Sequence, residues 1–423
     1  MSFSRRKFLR QSAALAATLS APAWLRASPA NTAAEAAAES ALKELWSRFI
    51  TPAHGTVLAY AGLDGRVVLP TARDCAEARP NGMSWCTPIS DGGLYGGFLL
   101  DGLCLRWKAR RTEATALQAS QIAGGLVALG RAGKTPGFVA RGFAADGRSF
   151  YPASSEDQVM PWFYGLWRYV RSGLAEEAHR HEIIALLETT ILALEAHQWR
   201  VPCDPLAFGY RGNYTGAKHK DATRLLFLNL ALHDLTGRER WLDSYRKLAE
   251  ERIGPEQKTR LEWCSTGMTF VNSASEMIVA TETASVSRSL WTSSLAQAAL
   301  RGLWEIERDP ARRAAYTQGL TANARAAAPH LARHRLHGAG GPAGFEVDWR
   351  FLNASWRPQA NCDEAIVLAR SQLPIWEKKN QRGHWEDDTM REPLFAAWII
   401  ALSPDAKVRR DHEAEITAML NLY

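Results

Sequence analysis

Three stretches of the chain put carboxylates where they can do chemistry. SSEDQ, residues 154–158, holds Glu156 and Asp157 side by side; HWEDD, residues 384–388, holds Glu386, Asp387 and Asp388; and ISDGG places Asp91 before Gly92 and Gly93, which allow close backbone approach. Hydrolysis of a glycosidic bond needs two carboxyls, one protonated as acid and one ionised as base or nucleophile, at a separation that decides inversion or retention. One acid from SSEDQ and one from DGG or HWEDD, facing each other across a cleft, meet that need, and the catalytic candidates are Asp157, Glu156, Asp91 and Asp387. Each also has a plainer reading. Ser155 followed by Gln158 has the pattern of a capping box, Asp91 can be an N-cap, and one acid of HWEDD can cap the helix that follows. Pro161 is comfortable only near a helix start, so the regular helix is expected from about Met160, with SSEDQ as a turn above it.

A second group of residues suits binding. YRGNYTGAKHKD, residues 210–221, carries Arg211, Asn213, Tyr214 and His219, and the chain holds sixteen tryptophans. Sugar rings stack apolar C–H faces on aromatic planes while their hydroxyls need acids, amides and guanidinium groups, so mixed loops of this kind suit a saccharide cleft. Trp167, Trp199, Trp304 and Trp398, inside helical segments, read as core. Trp349, Trp356 and Trp385, in loops, divide between cleft and core; Trp356, Trp385 and Glu386 join the substrate-binding candidates. HWEDD alone is no metal signature, and a hard-cation site needs more oxygen ligands than the sequence assigns, so no metal or cofactor is expected. No GxSxG or Walker pattern occurs, and GAGGPAG, residues 338–344, follows no strand and opens no helix.

The elements that must position these residues are helical. Ser172-Gly173, Thr236-Gly237 and Asp309-Pro310 each separate two helical segments, as Arg111-Thr112 does earlier, which is the mark of helical hairpins with tight turns. Measured from Thr112, the spacings are 60, 64 and 73, a unit of about 65 residues. Apolar periodicity and stop signals place helices near 33–50, 92–110, 112–131, 160–172, 174–199, 218–236, 238–253, 287–308, 310–331, 359–372, 389–402 and 409–421. Residues 56–69 alternate around Asp64-Gly65 and read as one β-hairpin. Long loops at 200–217, 254–286 and 332–358 join one hairpin to the next, and loops of that length in a compact domain are usually functional. Their alternation with the short turns puts 89–97, 154–158, 210–221, 270–291 and 353–364 at one end, beside 384–388.

About six helical hairpins with short turns at one end and elaborate loops at the other resemble the (α/α)6 toroid of the six-hairpin glycosidases and toroid polysaccharide lyases. The resemblance implies an all-α toroid that binds an oligo- or polysaccharide and hydrolyses its glycosidic bonds with a carboxylate pair. An alternative it allows is β-elimination on a uronate-containing glycan, with Arg211 and Asn213 neutralising the carboxylate and Tyr214 or His219 as base. A non-catalytic glycan-binding protein would keep the loop aromatics and need no acid pair.

The chain begins SRRKFLR, Ser4 to Arg10, ahead of an Ala/Leu run and small residues at Ala27 to Ala30. This resembles a twin-arginine export signal, which implies handling by the twin-arginine translocation machinery, cleavage after Ala30 and a periplasmic or secreted product. Residues 1–30 contain five basic residues and no acid, so their loss takes 51 basic residues to 46 against 44 acidic and the net charge from +7 to +2. A near-neutral chain gives no support to nucleic-acid binding. No later apolar run approaches the roughly 20 residues of a membrane span, so no membrane anchor is expected after cleavage. Six scattered cysteines form no CxxC pair and read as free and buried, though Cys75 and Cys86 share a loop. Residues 31–423 are expected to form a single toroid catalytic domain; their length exceeds the roughly 250–300 at which one core stops growing unless the architecture closes on itself.

Overall fold

The computed structural model describes residues 29–270, 286–287, 290–342 and 344–422. The whole of the SRRKFLR motif and most of the 270–291 segment therefore lie outside the described residues.

The chain is all-α. Its helices are α1 (Pro29–Arg48), α2 (Ala72–Ala76), α3 (Gly92–Arg110), α4 (Glu113–Arg131), α5 (Glu156–Ser172), α6 (Glu177–Ala196), α7 (His219–Thr236), α8 (Glu239–Glu250), α9 (Arg260–Thr266), α10 (Leu290–Ile306), α11 (Pro310–Ala327), α12 (Cys362–Lys379), α13 (Gln381–Glu386), α14 (Glu392–Ala401) and α15 (Ala406–Leu420). The punctuators act by identifiable chemistry. Arg111 adopts a left-handed conformation at the end of α3, and the Thr112 hydroxyl accepts the N–H of Thr115 to start α4. Gly173 (φ 76) and Gly237 (φ 65) end α5 and α7 in the left-handed region that favours glycine. Asp309 caps α11 by accepting the N–H of Arg312, with Pro310 as its first residue.

Packing follows the hairpin order. α3 lies against α4 and α5, α7 against α8 and α10, and α10 against α11 and α14. The main core runs through α3 to α8 and α10, with Trp162, Trp167, Trp241 and Trp263 sealed inside. A second cluster joins α10 and α11 to α14 and α15. Trp167 is core as expected; Trp349, left between cleft and core by the sequence, is also core, and its indole N–H donates to the Val68 carbonyl at 2.8 Å. Trp398 instead flanks an apolar recess of about 450 Å³ with Phe98 and Phe395.

Strand is confined to short pairings. β1 (Arg200–Pro202) pairs antiparallel with β2 (Tyr210–Asn213), β3 (Arg252–Ile253) with β4 (Lys258–Thr259), and β5 (Thr269–Phe270) runs parallel to β6 (Val286–Ser287). The β-hairpin expected at 56–69 is absent. The Asp64-Gly65 turn does form, with the Arg66 N–H on Asp64 Oδ1, but its flank is bonded elsewhere: Leu58 N–H to the Phe49 carbonyl and Ala59 N–H to that of Pro88. No helix among the described residues is long and apolar enough to cross a membrane.

Candidate active site

Helix α5 begins at Glu156, four residues earlier than Pro161 led one to expect. An interior proline removes one backbone hydrogen bond and crowds the carbonyl four residues back, here that of Asp157, at a cost of about 3 kcal/mol. Backbone packing holds it in place. A Cβ on Gly97 would sit 1.9 Å from the Pro161 carbonyl oxygen, so α3 and α5 touch through a position that only glycine can fill.

The capping box written in Ser155 and Gln158 is not made. Ser155 is the N-cap in an extended conformation, yet its hydroxyl accepts Nη2 of Arg141 at 3.0 Å instead of a helix N–H. Gln158 reaches across to α3: its Nε2 donates to Asp91 Oδ1 at 2.7 Å, and its Oε1 accepts the Leu94 N–H at 3.3 Å. Asp91 stands at the N-cap of α3 without making the cap bond. Gln158 takes over part of that duty and leaves the Asp91 carboxylate, 33% exposed, facing Ser90, Gln158 and Arg141. Buried Arg141 ties the two loops together through the carbonyls of Ser90 and Ser154.

Glu156 and Asp157 share the first turn of α5, where the helix dipole favours negative charge, but their surroundings differ. Asp157 Oδ1 accepts Nη1 of Arg224 at 3.0 Å, and the same fully buried guanidinium gives Nη2 to Asp221 at 2.9 Å and Nε to the Lys220 carbonyl at 3.1 Å. Burial raises the pKa of Asp157, but Arg224, Lys220 and Arg211 together pull it below the usual aspartate value. Glu156 goes the other way: burial first, then the neighbouring Asp157 charge, raise it against the pull of Arg211, Arg224 and Lys220. Its Oε2 is sealed and has no hydrogen-bond partner among the described residues. That oxygen lies against Gly212 (φ 78), where an added Cβ would fall 1.6 Å away.

The binding candidates separate. Arg211 is half-buried beside these acids, and its Nε is sealed and has no partner among the described residues. Asn213 is exposed and accepts the Thr215 N–H within its own turn. Tyr214 and His219 correct the expectation of substrate contact, because both are fully buried. The Tyr214 hydroxyl donates to the Glu156 carbonyl at 3.3 Å; His219 has its ring nitrogens against the Trp263 carbonyl at 2.8 Å and the Asn323 amide at 3.2 Å. Burial lowers the His219 pKa to about 4, so its ring is neutral. Both stand beneath the site.

HWEDD does not cap a helix. It falls in a nearly continuous helical run, α13 passing through a π-turn at Asp387–Arg391 into α14, and such turns recur at functional sites. Asp387, 40% exposed, pairs with Arg391 at 3.0 Å, and Glu386 pairs with Arg382 at 3.0 Å. Tyr95, one helical turn beyond Asp91, lies within charge-interaction range of Arg391, Asp91 and Asp387, which joins HWEDD to the DGG edge. Trp385 stacks one face on His337 at 4.5 Å. Trp356 is apart from the acids: Arg79 covers it at 3.9 Å, and it borders a recess of about 730 Å³ that contains none of them.

Arg141, Arg224, Tyr95 and Arg391 escaped the sequence reading. Only Arg224 carries a local signal, an arginine opening the apolar run LLFLNLAL on a helix buried nearly all round. No group of three or more metal-ligating side chains occurs among the described residues. The chain matches no protein-family model and no curated protein.

Proposed function

We propose that the protein is an exported carbohydrate-active enzyme of toroid architecture, a single catalytic domain that hydrolyses glycosidic bonds in the periplasm or outside the cell. The observation that carries this reading is the opposite displacement of two adjacent carboxyls, Glu156 upward and Asp157 downward. Pairs of acids whose environments push their pKa values apart take the acid and base roles at neutral pH. In this reading Glu156, the more readily protonated of the two, gives its proton to the glycosidic oxygen of the leaving sugar. Asp157, kept ionised by Arg224, takes a proton from the attacking water or attacks the anomeric carbon itself. The C–O bond breaks, the leaving oxygen gains the Glu156 proton, and water supplies the new hydroxyl. Asp91, held by Gln158 and Arg141, is the third carboxylate beside the bond.

Half-buried Arg211, beside the two acids, suits sugar hydroxyls or a charged substituent through its outer nitrogens, and Asn213, Asp387, Glu386 and Trp385 would form the outer contacts. Tyr214 and His219 are wholly enclosed whereas Glu156 keeps 9% of its surface exposed, which favours hydrolysis over elimination. The test is incubation with a panel of neutral and uronate-containing oligosaccharides, following reducing ends and the ultraviolet absorbance of an unsaturated uronate. Reducing ends without absorbance support hydrolysis. Both rising together indicate elimination, and binding without either indicates a glycan-binding protein.

A further inference from the structure

Six cysteines are free, and two of them meet behind the acid site. Cys203 directly follows β1, and its N–H donates to the Gly209 carbonyl at 2.9 Å. Cys362 is the first residue of α12, an 18-residue helix capped by Asn361. A Cβ on Gly209 would lie 3.9 Å from Cys362 Cβ, and both cysteines belong to one small apolar cluster with Met83, Ala153 and Phe208. Their thiols are close enough to act on each other, and the Cys203 sulfur lies near the N–H of Ser154, the first residue of SSEDQ.

We propose that Cys203 and Cys362 are a disulfide-forming pair, shown here reduced, whose oxidation ties the β1–β2 hairpin carrying Arg211 to the start of α12. The two sulfurs differ in character. The nearby Cys203 thiol lowers the Cys362 pKa, burial opposes it, and Arg211 and Arg141 lower it further; Cys362 and burial raise Cys203. A thiol at a helix N-terminus near arginines is the one that reacts. With a small disulfide RSSR as oxidant, the Cys362 thiolate attacks one sulfur and expels RS⁻, which takes a proton. Cys203 then loses its proton, attacks the Cys362 sulfur of the mixed disulfide and expels the second RS⁻. Two protein thiols are oxidised and one RSSR becomes two RSH.

The pair is enclosed, so exchange proceeds through local opening and is slow. The purified chain is incubated with glutathione disulfide over a day, alkylated, digested and mapped by mass spectrometry with and without reductant. The expected result is a reducible peptide linking Cys203 to Cys362, with Cys75, Cys104 and Cys264 still alkylated. Absence of that link, or linkage of either residue to another cysteine, overturns the proposal. Cys203→Ser is expected to trap glutathione on Cys362, whereas Cys362→Ser leaves Cys203 unmodified; the reverse pattern overturns Cys362 as the attacking sulfur.

Discussion

The carboxylate of Asp157 meets the guanidinium of Arg224 at 3.0 Å, and that guanidinium is wholly enclosed. Arg224 simultaneously holds Asp221, so one buried cation serves two acids. Removing one partner of a buried pair strands the other charges and costs about 3–5 kcal/mol. Arg224→Met is expected to lower thermal stability by that order and to abolish activity, whereas Arg224→Lys keeps the charge, loses the fork and falls between. Thermal unfolding of both variants, followed by circular dichroism, checks this; a melting temperature near wild type for Arg224→Met contradicts it.

The two acids have opposite pH signatures. Glu156 has a folded-state pKa above its unfolded value of about 4.3, so its contribution is present in acid and lost as pH rises through the folded value. Asp157 is displaced below about 3.9, so its contribution is present at neutral pH and lost as pH falls through the folded value. Glu156→Gln should therefore be more stable than wild type at pH 7 and equal to it in acid. Asp157→Asn should be less stable at pH 7, with the gap closing in acid. Denaturant midpoints across pH 2.5–8 give both signs.

Gly212 is the lid on the Glu156 carboxyl. Gly212→Ala places a methyl group on Oε2 and adds about 1–2 kcal/mol of left-handed strain. We expect lower stability and a shift of the alkaline limb of the pH–activity profile to lower pH, because Glu156 is displaced into solvent, titrates as an ordinary carboxylate and loses its proton earlier. An unchanged profile in this variant removes Glu156 from the acid role.

Gln158→Ala releases Asp91 and leaves the Leu94 N–H uncapped. The cap loss is worth about 1 kcal/mol, and misplacing Asp91 should reduce kcat by more than it changes KM. Steady-state kinetics on a cleaved oligosaccharide separates the two.

Tyr214→Phe deletes a hydroxyl with a single hydrogen bond, to the Glu156 carbonyl. The net worth of such a bond is about 1 kcal/mol, so activity should stay within a few-fold of wild type. A loss of a hundredfold or more, the scale of a missing general base, would restore the elimination reading.

What was legible in the sequence was local. The stops at Gly173 and Gly237 and the Asp309-Pro310 start need only neighbouring residues, and they set the order of the hairpins. The start of helix α5 at Glu156 is not legible locally, because Pro161 sits in close backbone contact with another helix, at Gly97. The capping box in SSEDQ was misread for the same reason: Ser155 and Gln158 have partners 14 and 67 positions away, which outcompete the local bonds. Tyr214 and His219 show the limit for site residues, since a tyrosine or histidine has the same letter whether it faces a cleft or, as here, supports one from below. HWEDD carried no sign of the long helical run through it, because a helix start needs a cap or a break and this one has only Asn380, whose side chain makes no capping bond.

The most direct test of the account is the rate at which Asp157→Asn releases reducing ends from an oligosaccharide that the wild-type protein cleaves, measured at neutral pH on protein shown to be folded by circular dichroism. Loss of a positioned base costs roughly 10²–10⁴-fold in rate, and the account predicts a fall of that size. Release at a rate near wild type from folded Asp157→Asn would contradict it.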